Sequence, residues 1–428
     1  MKNNPKTIRA WTFYDWANSV HSLTITSAIF PIYFPVAAVM MPSKSTTLDF
    51  LGVSISNKVL YSYAVSFGFL LLALSVPLVS SIADYIGKKK LFMKFYCYLG
   101  ALSCMLLYFF HEGNYYLGTF AFIFSIVGWG GSIVFYNSYI PEIATEDKYD
   151  GISARGFAMG YIGSVILLIQ NLTMVLKPEW YGGISNGQAS RISFLSVGIW
   201  WITFAQIPFY YLPESNKIGK KNKDWLLNGF VELKKVFNEL NNSTLTKKFL
   251  LSFFFYNMGA QTVMYLGALF GSEELHLPTD SLIITILLIQ LVAIFGAYIF
   301  SLISNKVGNT KSISYIILVW IVVCIAAYFV YTRNEFYGLA VGIGFVMGGV
   351  QSLSRSTYAK LLPKDTHDVA SYFSFYDVCD RISTVLGTFA FGFITQITGS
   401  MRLSVLFLSF IFLIGYLIIR TIPSQKTY

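Results

Sequence analysis

Ser80-Ser-Ile-Ala-Asp84-Tyr-Ile-Gly87-Lys88-Lys89-Lys90 decides how this chain folds. It lies between two long apolar runs: an acid closes the first, a glycine turns the chain, and three lysines open the second. The pattern returns 221 residues later as Ser301-Leu-Ile-Ser-Asn305-Lys306-Val-Gly308-Asn-Thr-Lys311, with the same spacing from the first serine to Asp84 or Asn305, to the glycine and to the last lysine. A turn between apolar runs that recurs at about half the chain length reads as a duplicated membrane protein.

Composition agrees. Of 428 residues, 55% are hydrophobic and 12% charged, and the mean hydropathy is +0.58. Soluble domains carry about 25% charged residues, so half that value places most of this chain in lipid. The formal charge of +10 would point to nucleic acid in a soluble protein. Here the basic residues sit in the loops between apolar runs, so they mark topology and no nucleic-acid partner is expected. Cys97, Cys104, Cys324 and Cys379 all fall inside apolar runs without metal-ligand spacing and read as packing residues. The first apolar run is too long for a cleavable signal peptide.

Twelve runs are each long enough for a helix across a core of about 30 Å, which takes roughly 20 residues. They cover 11–39, 59–84, 91–110, 116–140, 152–176, 192–212, 249–271, 281–304, 313–331, 336–362, 369–397 and 403–422. Length and the lack of alternation exclude membrane strands. The expected fold is an all-α membrane protein with twelve transmembrane helices in two pseudo-symmetric six-helix bundles, 1–212 and 248–428. Between them, 213–247 is a lysine-rich linker in which Leu226, Phe230, Leu233, Phe237 and Leu240 recur at helical spacing, as in an amphipathic helix on the membrane surface. Lys88 to Lys90, Lys148, the linker lysines, Lys306, Lys311, Lys360 and Lys364 share one side, so both termini and the linker are expected to be cytoplasmic. The repeat extends further: Tyr136 and Pro141 return as Tyr358 and Pro363, and Phe13-Tyr14-Asp15 as Phe255-Tyr256-Asn257.

With Asp84, Gly87, Lys88 and Lys89 matching its G-x-L-A-D-R-x-G-R-R loop, the chain resembles the major facilitator superfamily along its whole length, although Ser80 and Tyr85 depart from that loop. A narrower resemblance, to the vacuole-effluxer-like branch or unknown major facilitator family, is carried by Tyr14-Asp-Trp-Ala-Asn18-Ser, Phe30-Pro-Ile-Tyr-Phe34, Phe135-Tyr-Asn137, Pro141-Glu-Ile-Ala144, Arg155-Gly-Phe-Ala-Met-Gly160, Tyr256-Asn with Gln261-Thr, Gly348-Gly-Val-Gln351-Ser-Leu-Ser-Arg355 and Phe375-Tyr-Asp377-Val. This resemblance implies amino-acid or related metabolite export, as in the yeast vacuole. One departure stands out: Met258 occupies the place of an acid usual to the family's Tyr-Asn-Asp-Gly.

Asp84 ends its helix at the negative pole of the helix dipole, so it should look for a helix N-terminus or a cation elsewhere. The superfamily resemblance makes it a latch to the opposite bundle; the bland alternative is a solvated loop acid. Asn305 cannot repeat the charge, so the latch should differ between halves. Asp15, Asn18, Ser19, Ser22 and Thr26 form one polar stripe on the first span, and Asn257, Gln261 and Tyr265 the related stripe on the seventh. Asp15 is either a cavity-facing residue or an interfacial acid with its head in water. On the eleventh span, Asp377 and Arg381 are spaced for an i, i+4 pair, and Asp380 leaves one carboxylate over, to titrate or to bind an amine. Three charges at that depth disfavour a lipid-facing position. Tyr376 could close over a substrate. Gln351 and Arg355 are i, i+4 on the tenth span, and Arg355 and Arg155 read either as gate cations or as snorkelling side chains.

The candidate set is therefore Asp15, Asn18, Ser22, Asn257, Gln261, Tyr265, Gln351 and Tyr376 for substrate, Asp377, Asp380 and Arg381 for proton coupling or charge pairing, and Asp84, Gly87, Lys88, Arg155 and Arg355 for gating. The expected function is secondary active transport of a small polar solute by alternating access, with protons as a candidate coupling ion, by a monomer in a bacterial inner membrane. The alternative is drug or lipid-like efflux, with a more apolar cavity; a non-transporting sensor would carry an extra soluble domain. No metal cluster, nucleophile elbow or cofactor motif points to an enzyme, no cofactor is expected, and no P-loop points to ATP hydrolysis.

Overall fold

The computed structural model describes residues 2–39, 47–214, 225–364 and 366–423. The first span is made of three pieces. α1 (Pro5–Val20) runs into a π-helical stretch, His21–Ala28, and then into α2 (Phe30–Ala37), and the two arms are bent by 51°. The sequence predicts one span over 11–39, and Pro31 accounts for the break. Its ring cannot donate and crowds the carbonyl four residues back. The turn widens, and the Ile29 N–H reaches Thr24 O at 2.9 Å.

Part of the stretch between the first two expected spans is an antiparallel hairpin, β1 (Thr47–Phe50) and β2 (Val53–Ser56), with Phe50 opposite Val53. Leu51 and Gly52, both at positive φ, make its two-residue turn. The other five spans of the first bundle are α3 (Asn57–Ile86), α4 (Lys89–Leu106), α5 (Tyr115–Asn137) with a short α6 (Ile140–Ile143) at its end, α7 (Tyr149–Leu176) and α8 (Asn186–Tyr211). Gly87 ends α3 with φ 66°, a conformation glycine adopts without strain, and α4 starts two residues on.

After α9 (Trp225–Asn242), the second bundle holds α10 (Thr244–Glu273), α11 (Thr279–Val307), α12 (Asn309–Tyr328), α13 (Arg333–Lys360), α14 (Val369–Thr398) and α15 (Met401–Ile419). Ten of these helices are long and apolar enough to cross a membrane, and the bent first span makes an eleventh. The twelfth, α10, has 30 residues and packs along α14 and α15. Its polar stripe and its lysines dilute its hydropathy. Large apolar side chains such as Leu74, Phe95, Phe295 and Leu302 stay exposed on the outer faces, where lipid covers them. Inside, Gly128 lets α5 touch α4, because a Cβ there would strike the backbone of Gly100.

α9 lies within the linker expected over 213–247, of which 215–224 is outside the described residues. Its packing face differs from the predicted stripe. Val236 and Leu240 are buried while Phe230 and Phe237 are exposed. The helix rests on α3, with Gly229 against Ile82, and ties to the start of α14 through Lys235 to Asp368 at 2.9 Å and a Tyr372–Glu239 hydrogen bond. It touches both bundles.

Candidate functional site

The Gly87 turn, the α6–α7 turn and α9 lie on one face of the molecule, here called the turn face. Three polar contacts join the bundles there.

Asp84 makes the first. It is 4% exposed, and its Oδ2 accepts hydrogen bonds from Ser371 N and Ser371 Oγ, both at 2.8 Å. Ser371 lies in the first turn of α14. The acid at the negative end of its own helix thus sits on the positive end of a helix from the other bundle. Of the lysines beside it, Lys88 is exposed. Lys89 is buried, pairs with Glu142 and lies 4.0 Å from the Tyr139 ring, and Lys90 donates to Leu212 O at 2.7 Å. Both tie α4 to its own bundle.

Asp150, in the first turn of α7, makes the second contact. Fully buried, it takes Lys360 Nζ, Ser304 Oγ and Asn309 Nδ2, each at 2.8 Å. The repeat offset of 221 carries Asp84 onto Asn305 and Asp150 onto Ser371. Asn305 itself is exposed. The two halves therefore use one contact with its roles exchanged. In one, the acid is on α3 and the serine on α14; in the other, the acid is on α7 and a serine, Ser304, on α11. The asymmetry expected from Asn305 takes this form. Sequence reasoning passed over Asp150, and the readable signal was its register with Ser371.

Asp15 and Arg355 make the third, 6% and 3% exposed and 3.1 Å apart. Tyr136 donates to the same Asp15 oxygen at 2.8 Å. Arg355 also donates to Asn137 Oδ1, Ser153 Oγ and Ser153 O, and its guanidinium lies 4.1 Å from the Phe157 ring and 4.9 Å from Trp11. Asp15, a substrate candidate, and Arg355, a gating candidate, are thus one ion pair across the bundles. Arg155 is exposed, with no ion pair among the described residues.

Directly inside this third contact is a chamber of about 220 Å³. Its walls hold Asp15, Asn18, Ser22, Asn257, Gln261, Tyr265, Gln351, Tyr376, Asp377, Asp380, Arg381 and Arg355. Every residue of the substrate and charge-pair sets is therefore in one space, fed by both bundles. Arg381 donates to Asp377 at 2.9 Å and lies 3.2 Å from Asp380. Asp380 Oδ1 also takes Asn257 at 2.7 Å and Gln261 at 3.2 Å. Its carboxylate thus reaches α10 one residue before Met258, where the family resemblance implies an acid. Met258 packs on Gly387 of α14. Gln351 accepts from Tyr161, a wall residue the sequence stripes did not flag, at 2.6 Å, and Tyr376 stacks on Phe253 with ring centres 4.3 Å apart. His21 bonds Ser125 at 3.0 Å and stacks on Trp129.

Away from the turn face the chamber adjoins a cavity of about 660 Å³, the two sharing Leu23, Ser27, Met264, Tyr265 and Gln290. The larger cavity is lined mainly by apolar side chains such as Phe69, Leu266, Phe270, Ile286, Ile343 and Phe389. No group of three or more His, Cys, Asp or Glu suited to a metal occurs among the described residues.

The family model of the vacuole effluxer Atg22-like proteins matches residues 3–427. An uncharacterized MFS-type transporter of Bacillus subtilis strain 168, YxiO, is 30% identical over 429 residues, covering 100% of this chain and 97% of the relative. Autophagy-related protein 22 of Saccharomyces cerevisiae strain S288c is 25% identical over 403 residues, covering 81% of this chain and 74% of the relative. Among solved structures, the human organic anion transporter MFSD10 superposes with a TM-score of 0.74 at 11% identity, covering 97% of this chain and 100% of that one. The E. coli fucose:proton symporter FucP gives 0.70 at 13% identity, covering 98% of each chain.

Proposed function

The chain belongs to the vacuole effluxer Atg22-like family of major facilitator transporters, and from that premise we propose that it exports a small polar solute, an amino acid or a related metabolite, by proton-coupled alternating access. The observation that carries this reading is the chamber. It lies between pseudo-symmetric bundles, is sealed on the turn face by three contacts between them, and continues into a larger cavity on the other side. A site between repeats that rock against each other is reached from one side at a time.

In this reading, residues 1–212 and 248–428 are the moving bodies and 213–247 the tether. Asp15, Asn18, Ser22, Asn257, Gln261, Tyr265, Gln351 and Tyr376 hold the solute. Asp377 and Asp380 are the proton carriers with Arg381 as their charge partner, because carboxylates this deep in a span line the solute path and mark a functional site. Asp84, Gly87 and Arg355 gate the turn face, joined by Asp150 and Lys360. Lys88 and Arg155, both exposed, add nothing to this closed arrangement and are available to the open one. The protein works as a monomer in a bacterial cell membrane with its termini in the cytoplasm. A cysteine placed at Gly87 should then be labelled from the cytoplasmic side, and labelling from the opposite side overturns the topology.

The apolar walls of the larger cavity favour a second reading, efflux of drug-like or lipid-like solutes. Proteoliposomes separate the two. Loaded with labelled amino acids and given a pH gradient, they should release solute in a manner that collapses with the gradient. No movement of any amino acid in either direction, alongside movement of an apolar dye, selects the second reading.

A further inference from the structure

The hydrogen-bond inventory of the chamber is lopsided. Both guanidiniums are paired with the chamber's own carboxylates. Arg355 donates to Asp15, Asn137 and both oxygens of Ser153, and Arg381 donates to Asp377 and lies 3.2 Å from Asp380. The Arg381 Nε–H has no acceptor among the described residues and is sealed off from the open space. Two of the carboxylates are not committed. Oδ1 of Asp15 and Oδ2 of Asp377 accept no hydrogen bond among the described residues, and neither is sealed. Each belongs to a chamber-wall residue only 6% exposed, one on each bundle. Asp380 is the contrast, its Oδ1 filled by two amides and its Oδ2 facing Arg381.

Charge points the same way. Asp15 is balanced by Arg355, while Asp377 and Asp380 share Arg381, which leaves one formal negative charge in the chamber. A buried carboxylate without a full set of donors is expensive unless something supplies them. What the chamber lacks is a cationic donor rather than an anion.

We propose that the chamber is an ammonium site, taking the protonated amine of an amphipathic organic amine at Asp377 Oδ2, with Asp15 Oδ1 as the open acceptor on the opposite bundle and the ligand's apolar body in the adjoining cavity beside Phe69, Leu266 and Val385. This rests on the transport reading only in taking the chamber as the solute's place, and it deepens that reading: the group recognised is the amine, and a carboxylate on the ligand is dispensable. It also ties binding to the turn face. Asp15 holds Arg355 through its other oxygen, so a cation on Oδ1 draws charge from the ion pair that joins the bundles. Proton and amine compete for Asp377, and that competition is itself a form of coupling.

The test needs no transport. Purified protein in lipid nanodiscs is titrated by calorimetry with 2-phenylethylamine, phenylalanine, 2-phenylethanol and 3-phenylpropanoate, which share a ring and differ in charge. The amine should bind within about tenfold of phenylalanine or tighter, and the alcohol and the acid at least about a hundredfold more weakly. Asp377→Asn should weaken the amine by about tenfold or more, while Asp147→Asn on the exposed turn leaves it unchanged. The four-ligand comparison on the unmodified protein stands even where Asp377→Asn fails to fold. Failure of the amine to bind, with or without phenylalanine binding, overturns the proposal, as does equal binding of 3-phenylpropanoate or heat released by sodium chloride alone. Amine binding in a protein that moves no solute sinks the transport reading and leaves this one, and amino-acid transport without amine binding does the reverse.

Discussion

Asp150 shows what a single buried charge commits the molecule to. Its carboxylate is out of water and holds one cation and two neutral donors. Deleting one member of such a pair strands the other, at a cost of about 3–5 kcal/mol, whereas replacing both by apolar groups is often close to neutral. Lys360→Met should therefore lower the melting temperature sharply, and Asp150→Leu with Lys360→Met should regain more than half of the loss, as read by thermal unfolding in detergent. Equal loss in the single and double variants rules out the pair as the source. Asp84 differs in kind, since it meets a helix N-terminus and a hydroxyl instead of a cation. Asp84→Asn keeps an acceptor in place and should cost only about 1 kcal/mol, so the exchanged halves should be unequal in strength by a factor the same melts can read. At this scale the sequence was half legible. The stripes on the first, seventh and eleventh spans named the chamber walls, because polar residues at helical spacing in an apolar run have few other uses. They could not pair Asp15 with Arg355, which lie 340 residues apart, nor flag Asp150, which reads as an ordinary acid at a helix start until it is placed in register with Ser371.

Helices respond to packing and to the charges on their ends. Gly128→Val puts side-chain atoms where the backbone of Gly100 now lies, so α5 must move off α4. The expected result is a drop of several degrees in melting temperature, with little change from the same substitution at Gly151, where a Cβ meets nothing within 4 Å. The clasp on α9 has a pH signature. Hydrogen bonds to Asp368 and Glu232 push the Lys235 pKa above the ordinary lysine range. A group raised in this way contributes fully at pH below its unfolded value and loses the contribution only as pH climbs through the raised one. Between pH 6 and 9, protease sensitivity at the α9 ends should hence stay flat in the native protein and be higher throughout that window in Lys235→Ala. A rise in the native protein across that window would show that Lys235 does not hold the helix. The spans themselves were readable because unbroken apolar runs of this length have one solution in lipid. The bend of the first span and the face of α9 were not: Pro31 admits a kink without saying how the backbone reroutes its bonds, and the stripe through Phe230 and Phe237 predicts an apolar face without saying whether lipid or protein covers it.

Over the whole molecule, the distribution of contacts sets the resting state. Interbundle bonds to buried charges crowd the turn face, while on the far side the bundles are parted by the apolar cavity. In the proposed alternating cycle each turn-face contact exists only while that face is closed, so the energy it contributes is a bias between states as well as a stability term. Arg355 carries the most: it bonds Asp15, Asn137 and Ser153 at once, and it neutralises an acid that would otherwise be buried without a cation. If about 3 kcal/mol of its contribution is confined to the closed state, Arg355→Ala moves the equilibrium between states by more than a hundredfold, enough to turn a closed population into an open one. Spin labels on the exposed Lys148 and Lys364, one on each bundle at the turn face, should give one short separation in the native protein and a longer one in Arg355→Ala. Asp84→Asn, removing a smaller closed-state term, should yield a mixture of the two. A native-like separation in both variants would mean that these contacts hold the fold together without choosing between its states, and the gating roles of Asp84 and Arg355 would fall with it.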